Sequence, residues 1–596
     1  MPGCRILSMG LALAVSVGGV IGVPVGLAQP PASGVQEART TWARPGVAVV
    51  TSKPLGFAND PSKEPGFKAG GMFTELLSGV PDTLNPLTAR KGVERRAEGL
   101  VMQPLARYDP MTLELRGILA SAWQIDPAGL WMRVKLNERA TFSDGKPVTA
   151  EDVRFSLKDL YANPKVMKPG SAIDLSELKS VEVLAGEVVE LTFSEKRLTN
   201  TIGVLTSIAI FPKHIYSGMS PEELTKSTGF LVGSGPFMMK GLGTDPKNLG
   251  GQWVPGTTEI VLTRNENYWG PKPPLDAVRF VAVADAGARL KRFGEPDVDA
   301  MIPDADQFQK VSGDKELLKT VSPLAVTSAN SLWMGIAWQC GGKGGGTGPT
   351  TPFASQDVRR AMAILIDGNE VIRTIFSGVG SPITGPGNPR LRWYDTSLAA
   401  PTGPVEEAKK LLASAGWKDR DGDGTVENEA GQPFAFEFIY ENRESFAKLG
   451  EYLTARCRAV GVRCTGTGLS GTELTARLKA RTFDAATVGA AGAMDWNPEM
   501  SWHSKSAAGE GRNYWQWKSG AADALIDAGS AELDITMREA TWKKLHGVIA
   551  SEQPVTFIRV SPSLMLVKQT VGNVTKTRTG VLTEEFFKMA EPAAAK

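Results

Sequence analysis

Apolar and polar residues alternate with two different periods along this chain, and each change of period marks a change of element. From Trp131 to Leu136, Met132, Val134 and Leu136 alternate with Trp131, Arg133 and Lys135, the period of a half-buried strand. Ser143-Asp144-Gly145 then supplies turn chemistry, and Pro147 fixes the exit from it. Thr149 is placed to cap a helix, with Asp152 three positions on to complete a capping box. Val153, Leu157, Leu160 and Tyr161 follow at i, i+4, i+7 and i+8, one apolar stripe facing a core. The stretch predicts a strand, a loop and a capped helix.

The same reading extends along the chain. Met72 to Leu77, Val188 to Phe193, Ile260 to Leu262 and the alternating Phe434, Phe436 and Phe438 predict strands. Val358, Ala361, Met362, Leu365 and Ile366 make a helical stripe ending at Asp367-Gly368. Pro404 opens another helix, with Val405, Ala408, Leu411, Leu412 and Ala415 inward and Gly416 as its stop. Residues 29–69 are rich in Pro, Gly, Ala and Ser without sustained period, and read as a flexible spacer.

At 596 residues the chain exceeds one core, so two or three domains are expected. Lys and Arg number 66 against 64 Asp and Glu, a balance that gives no basic face for nucleic acid. Residues 1–28 differ in kind: Arg5 precedes an uncharged run from Ile6 to Leu27, and Gly26-Leu27-Ala28 has the small-x-small form of a signal-peptidase site. A cleaved export signal is the reading, with a retained anchor as its competitor. Cys4, ahead of the run, is not placed like an acylated cysteine. Cys457 and Cys464 bracket a helix end and a strand start, where a disulfide or two buried thiols both fit. Cys340 has no evident partner.

Phe142-Ser143-Asp144-Gly145-Lys146-Pro147-Val148-Thr149-Ala150-Glu151-Asp152-Val153 resembles the F-x-D-G-x-P-x-T-A-x-D-V signature of family 5 extracellular solute-binding proteins, the oligopeptide- and dipeptide-binding type. Further segments resemble the family in the same order: Leu84-Asn85-Pro86, Glu98 to Pro110, Leu119 to Trp123, Gly233-Ser234-Gly235-Pro236-Phe237, Arg264 to Gly270, Val358 to Asp367, and Ala408 to Trp417. The resemblance implies an α/β, two-lobed periplasmic binding protein of type II (cluster C-like), hinged, with an extra subdomain in lobe 1. It places the lobe 1 core at 70–115, 230–320 and 556–596, the extra subdomain at 116–229, and lobe 2 at 321–555.

No catalytic constellation is evident. His214, His503 and His546 lack metal-ligand spacing, and no G-x-S-x-G elbow occurs. The run Gly341 to Gly348 has glycine after its lysine where a phosphate loop has Ser or Thr, and reads as a surface loop. Asp419, Asp421, Asp423, Thr425 and Glu427 place oxygen atoms at alternate positions, as an EF-hand loop does, but Ala430 stands at the twelfth position. A structural calcium and a polar hairpin are the two readings. No other cofactor is expected.

The segment Met494-Asp495-Trp496-Asn497-Pro498 resembles the family's D-[YW]-x-x-P segment, in which peptide-binding members pair the aspartate with the ligand's ammonium group. The resemblance assigns that role to Asp495, with Met494, Trp496 and Trp502 as apolar walls; Asn85 completes the ligand-binding candidates. The competing reading has Asp495 capping a turn while the tryptophans pack the core. The expected protein is an exported, monomeric, non-enzymatic component of an ABC importer, delivering a peptide or peptide-like solute to a membrane permease. A non-peptide solute (opine, sugar or metal chelate), a receptor that only signals, and a secreted hydrolase are the alternatives.

Overall fold

The computed structural model describes residues 42–589 apart from 54–55, 90–91, 168–174, 176, 196–197, 228–231, 240–256, 346–347 and 495. The signal segment 1–28 and Asp495 therefore lie outside the described residues. Strand Trp131–Leu136 buries Met132, Val134 and Leu136 and pairs antiparallel with Ala120–Ile125 and Val188–Phe193. Thr149 accepts the amide of Asp152, whose carboxylate accepts the amide of Thr149 at 2.8 Å, so both halves of the capping box form. The helix runs as α over Ala150–Arg154 and widens to π over Phe155–Tyr161. Ser156 sits at the change: its hydroxyl donates to the Asp152 carbonyl at 2.7 Å and accepts the amide of Phe211 at 2.8 Å. The predicted stripe of Val153, Leu157, Leu160 and Tyr161 is buried.

Three main sheets organise the molecule. The lobe 1 sheet has the order Val321–Val326, Ser563–Lys568, Ala300–Met301, Met72–Leu77, Ala277–Ala282, Glu259–Arg264, Phe237–Met239. The lobe 2 sheet has the order Ser381–Pro382, Val555–Ser561, Leu332–Trp338, Ala485–Ala491, Ala435–Glu441, Arg463–Leu469. A third sheet, Val50–Thr51, Ala120–Ile125, Trp131–Leu136, Val188–Phe193 and Leu178–Leu184, forms the extra subdomain.

The chain passes between the lobes at 327–331 and again at Pro562. Both passages lie about six residues beyond the positions expected from sequence. Val321–Val326 pairs with Ser563–Lys568 inside lobe 1, and Val555–Ser561 pairs with Leu332–Trp338 inside lobe 2. Each passage joins a strand of the lobe 1 sheet to a separate strand of the lobe 2 sheet. The spacer expectation is also corrected from residue 42 onward. Val50–Thr51 adds a strand to the extra subdomain, and Arg44 bonds Glu190 at 2.6 Å while covering the Trp131 ring at 4.2 Å.

The motifs are bonded to one another across the lobe 1 core. Asn267 donates to the Ser143 carbonyl at 3.1 Å, Asn265 to the Gly235 carbonyl at 2.9 Å, and the Ser143 amide to the Gly233 carbonyl at 2.9 Å. A Cβ on Gly233 would lie 2.1 Å from the Val101 carbonyl, so only glycine fits where this turn meets the end of helix Gly92–Val101. Helices Gln356–Ile364 and Val405–Ser414 and strand Ala435–Glu441 form as expected, with Phe434, Phe436 and Phe438 buried. Cys340, Cys457 and Cys464 are free thiols. Contact with Cys464, together with burial, pushes the Cys457 thiol up.

The cleft between the lobes

A cavity of about 370 Å³ lies where the lobes face each other. Lobe 1 contributes Arg107, Tyr108 and Pro110 from the hairpin beginning at strand Ala106–Tyr108, and Thr206 and Ser207 from the last turn of helix Leu198–Ser207. Its C-terminal return adds Thr579 and Leu582. Lobe 2 contributes Ala493 and Met494, which follow strand Ala485–Ala491, and the crossing segment contributes Asn330.

Backbone bonds fix these walls. The Gly492 amide donates to the Ser331 carbonyl at 3.1 Å, and Asn388 donates to the carbonyls of Ser328 and Ala329, both at 3.1 Å. Arg578 ties the lobes: its amide donates to Pro110 at 2.8 Å and its guanidinium to the Arg390 carbonyl at 2.7 Å. Asp109, beside the lining residues, turns back to accept the amides of Met111 and Thr112 at 2.9 Å. Burial works against its charge, but those bonds and Arg116 hold its carboxyl below the usual value.

Arg107 is the cation among the described lining residues, and no acidic side chain is among them. Its Nη1 lies 3.5 Å from Glu584, at the long end for an ion pair, and its buried Nε has no hydrogen-bond partner among the described residues. The remaining lining is hydroxyl, amide and apolar. Such a surface can bind neutral hydrogen-bonding groups and one anionic end; it holds no nucleophile–base pair among the described residues.

The residues expected from sequence separate here. Met494 lines the cavity. Trp496 is half-buried and stacks on Trp393 at 4.4 Å and 11°, supporting the segment from behind. Trp502 is 2% exposed and packs among Trp333, Trp515, Trp517 and Phe557; it is a core residue and not a cleft wall. Its place in the short helix Glu499–Trp502 turns the indole inward. Asn85 is fully buried, with its amide donating to the carbonyls of Leu224 and Ser227 and accepting the Leu87 amide. It anchors a loop and does not reach the cleft. Arg107, Tyr108 and Pro110 fell inside a motif read for its fold, so that place carried a signal; Asn330 lies beyond the position at which the lobe crossing was expected. Thr206, Ser207 and Thr579 carried none.

Of the five oxygen-bearing residues in the Asp/Gly loop, three come together: carboxylate oxygens of Asp419, Asp421 and Asp423 lie within 4.8 Å of one another, exposed. Thr425 and Glu427 are buried, and Glu427 accepts the Arg420 amide at 3.0 Å. The loop bonds internally, Asp419 accepting the amides of Gly422 and Gly424 and Asp423 that of Thr425. Arg463 stands 3.5 Å from the Asp423 carboxylate.

Residues 114–512 match the model for bacterial extracellular solute-binding proteins, family 5 (middle region). This chain belongs to that family. Family 5 proteins are binding components of ABC importers, so this is a binding protein and not an enzyme. Family membership implies an extracytoplasmic location; among the described residues no helix is long and apolar enough to cross a membrane. The oligopeptide-binding protein AppA of Bacillus subtilis is 24% identical over 500 residues, 82% of this chain and 86% of AppA. Its structure with a nonapeptide superposes with a TM-score of 0.67 at 22% identity, covering 87% of this chain and 99% of that one. NikZ from Campylobacter jejuni, in complex with Ni(L-His), has a TM-score of 0.67 at 18% identity over 87% and 99% of the two chains. AgaA from A. tumefaciens R10, in complex with agropinic acid, has a TM-score of 0.62 at 21% identity over 86% and 96%. The two-lobed family fold is thereby shared across proteins with different ligands.

Proposed function

We propose that this family 5 protein captures an oligopeptide or peptide-like solute between its lobes and delivers it to the membrane permease of an ABC importer. The carrying observation is the cleft's lining: neutral hydroxyls and amides from Thr206, Ser207, Asn330 and Thr579, with Arg107 as its cation among the described residues. Neutral donors and acceptors suit peptide amides whatever their side chains, and a guanidinium suits a terminal carboxylate. AppA, solved with a nonapeptide, supports the same class. By the family resemblance, Asp495 takes the ligand's ammonium group beside Met494. The two passages at 327–331 and Pro562 serve as the hinge on which the lobes close. The mature protein acts as a monomer, exported by removal of residues 1–28.

A compact non-peptide acid is the second reading, favoured by the volume of about 370 Å³ and by Arg107. Direct metal ligation is disfavoured, since no histidine, cysteine or acidic residue is among the described lining residues. Native mass spectrometry of the purified protein, gentle and then denaturing, separates the readings. A ladder of short peptides supports the first. A single non-peptide mass replaces it with the second. The intact mass of the exported protein reports the N-terminus in the same run.

A further inference from the structure

A second cavity, of about 410 Å³, lies in lobe 2 at the far end of strand Leu332–Trp338 from the cleft, roughly 20 Å away at the rise of a β-strand. Its walls include Gly341, Gly342 and Gly345 of the glycine-rich run, Arg359 of helix Gln356–Ile364, and Gln516 and Lys518. A Cβ on Gly341 would lie 2.9 Å from the Gln516 side chain, so the glycine is what admits Gln516 to this wall.

The charge here is one-sided. Arg359 is 4% exposed, and its Nε and Nη1 donate to the carbonyls of Glu552, Phe353 and Ala354 at 2.8–3.0 Å. Among the described residues, Nη2 has no hydrogen-bond partner and no carboxylate pairs with the guanidinium. A buried cation in that condition favours an anion beside it. Glu552, the nearby carboxylate, is engaged by Trp517 Nε1 at 2.8 Å and by the Ser519 hydroxyl at 2.9 Å. Lys518 is exposed and has no ion pair among the described residues. The buried side-chain amide of Gln516 makes no hydrogen bond among the described residues, and such a group can turn either end toward a ligand. Gln516 also holds a left-handed backbone at φ 53°, a conformation that non-glycine residues adopt mainly where the surroundings enforce it. No acidic side chain is among the described lining residues.

We propose that this cavity is an accessory binding site for a small organic oxyanion, carboxylate or phosphate, held between Arg359 and Lys518 with Gln516 as the neutral donor. It is independent of the cleft and of what the cleft binds. Titration calorimetry of the full chain with citrate, and separately with inorganic phosphate, at constant ionic strength tests it. Saturable binding of either below about 10 mM is expected, weakened about tenfold or more in Lys518→Glu. Citrate alone saturating identifies the carboxylate class, and phosphate alone the phosphate class. Lys518→Glu should keep the melting temperature of the unliganded protein, because Lys518 has no described partner to lose. Absence of saturable binding by both anions, or equal binding by wild type and Lys518→Glu, overturns the site.

Discussion

Trp496 lies face to face with Trp393, ring centroids 4.4 Å apart, and Trp393 Nε1 donates to the Ala493 carbonyl at 3.3 Å. One buried indole thus holds both ends of the segment that carries Met494 into the cleft. Trp393→Ala should cost about 3–5 kcal/mol of stability and weaken ligand binding by about tenfold or more. Trp393→Phe, which keeps the stack but not the N–H, should retain most of the stability. Denaturant unfolding and ligand titration of both variants check this; unchanged affinity in the folded Trp393→Ala protein would show that the segment is held by other contacts.

Local pattern reached a long way into this structure. Alternation placed Met132, Val134 and Leu136 inward, and the Thr149–Asp152 spacing gave a capping box that forms. Family motifs placed glycines and asparagines that turn out to bond one another, as Asn265 does with Gly235. The cleft was less legible because its lining is assembled from five separate segments, each contributing one to three residues of ordinary type. Trp502 shows the limit: an aromatic eight residues beyond Met494 reads the same in sequence whether it faces solvent, ligand or, as here, four other aromatic rings. The lobe crossing was misplaced for a related reason: Val321–Val326 and Leu332–Trp338 are neighbouring strands in sequence, and only their pairing partners assign them to different lobes.

His546 is a buried imidazole between Thr384, at 3.2 Å from Nε2, and the Asp395 amide, which donates to Nδ1 at 3.2 Å. Burial pushes its pKa down to about 4, outweighing the Thr384 contact and the Asp395 charge. The unfolded chain, near 6.5, therefore binds a proton first as pH falls. Stability from this residue is fully present above about pH 6.5, falls as the pH drops toward 4, and levels off below that. The loss amounts to about 3 kcal/mol. The difference in unfolding free energy between wild type and His546→Gln should change by about that amount across this range. Parallel curves would remove His546 as the source.

Thr149→Ala removes one half of the capping box while leaving the buried stripe behind it intact. A loss of about 1 kcal/mol is expected, read by chemical denaturation. Asp152→Ala should cost more, because Asp152 also accepts the Lys213 amide at 2.7 Å and so joins two helices. Equal losses would mean that the second bond contributes nothing.

The Asp419–Asp423 loop satisfies its carboxylates with its own amides and faces Arg463. Calcium should therefore leave the melting temperature unchanged, and a chelator likewise. A saturable rise with calcium, absent in Asp421→Asn, would instead establish the loop as a metal site built on Asp419, Asp421 and Asp423.

Asp495 carries the sharpest prediction about the ligand. In sequence it falls between Met494, which lines the cleft, and Trp496, which stacks on Trp393. A carboxylate paired with an ammonium group in a partly dry cleft contributes more than a neutral amide at the same place, because the charge-assisted bond is the stronger one. Asp495→Asn should thus weaken peptides with a free amino end by about tenfold or more, while N-acetylated peptides of the same sequence lose little. Arg107→Gln should produce the converse pattern, discriminating free-acid from amidated peptides. The two variants read opposite ends of one bound chain, so together they give its direction across the cleft. If both variants weaken all four peptide forms equally, neither residue recognises a terminus, and the cleft's neutral hydroxyls and amides carry the binding.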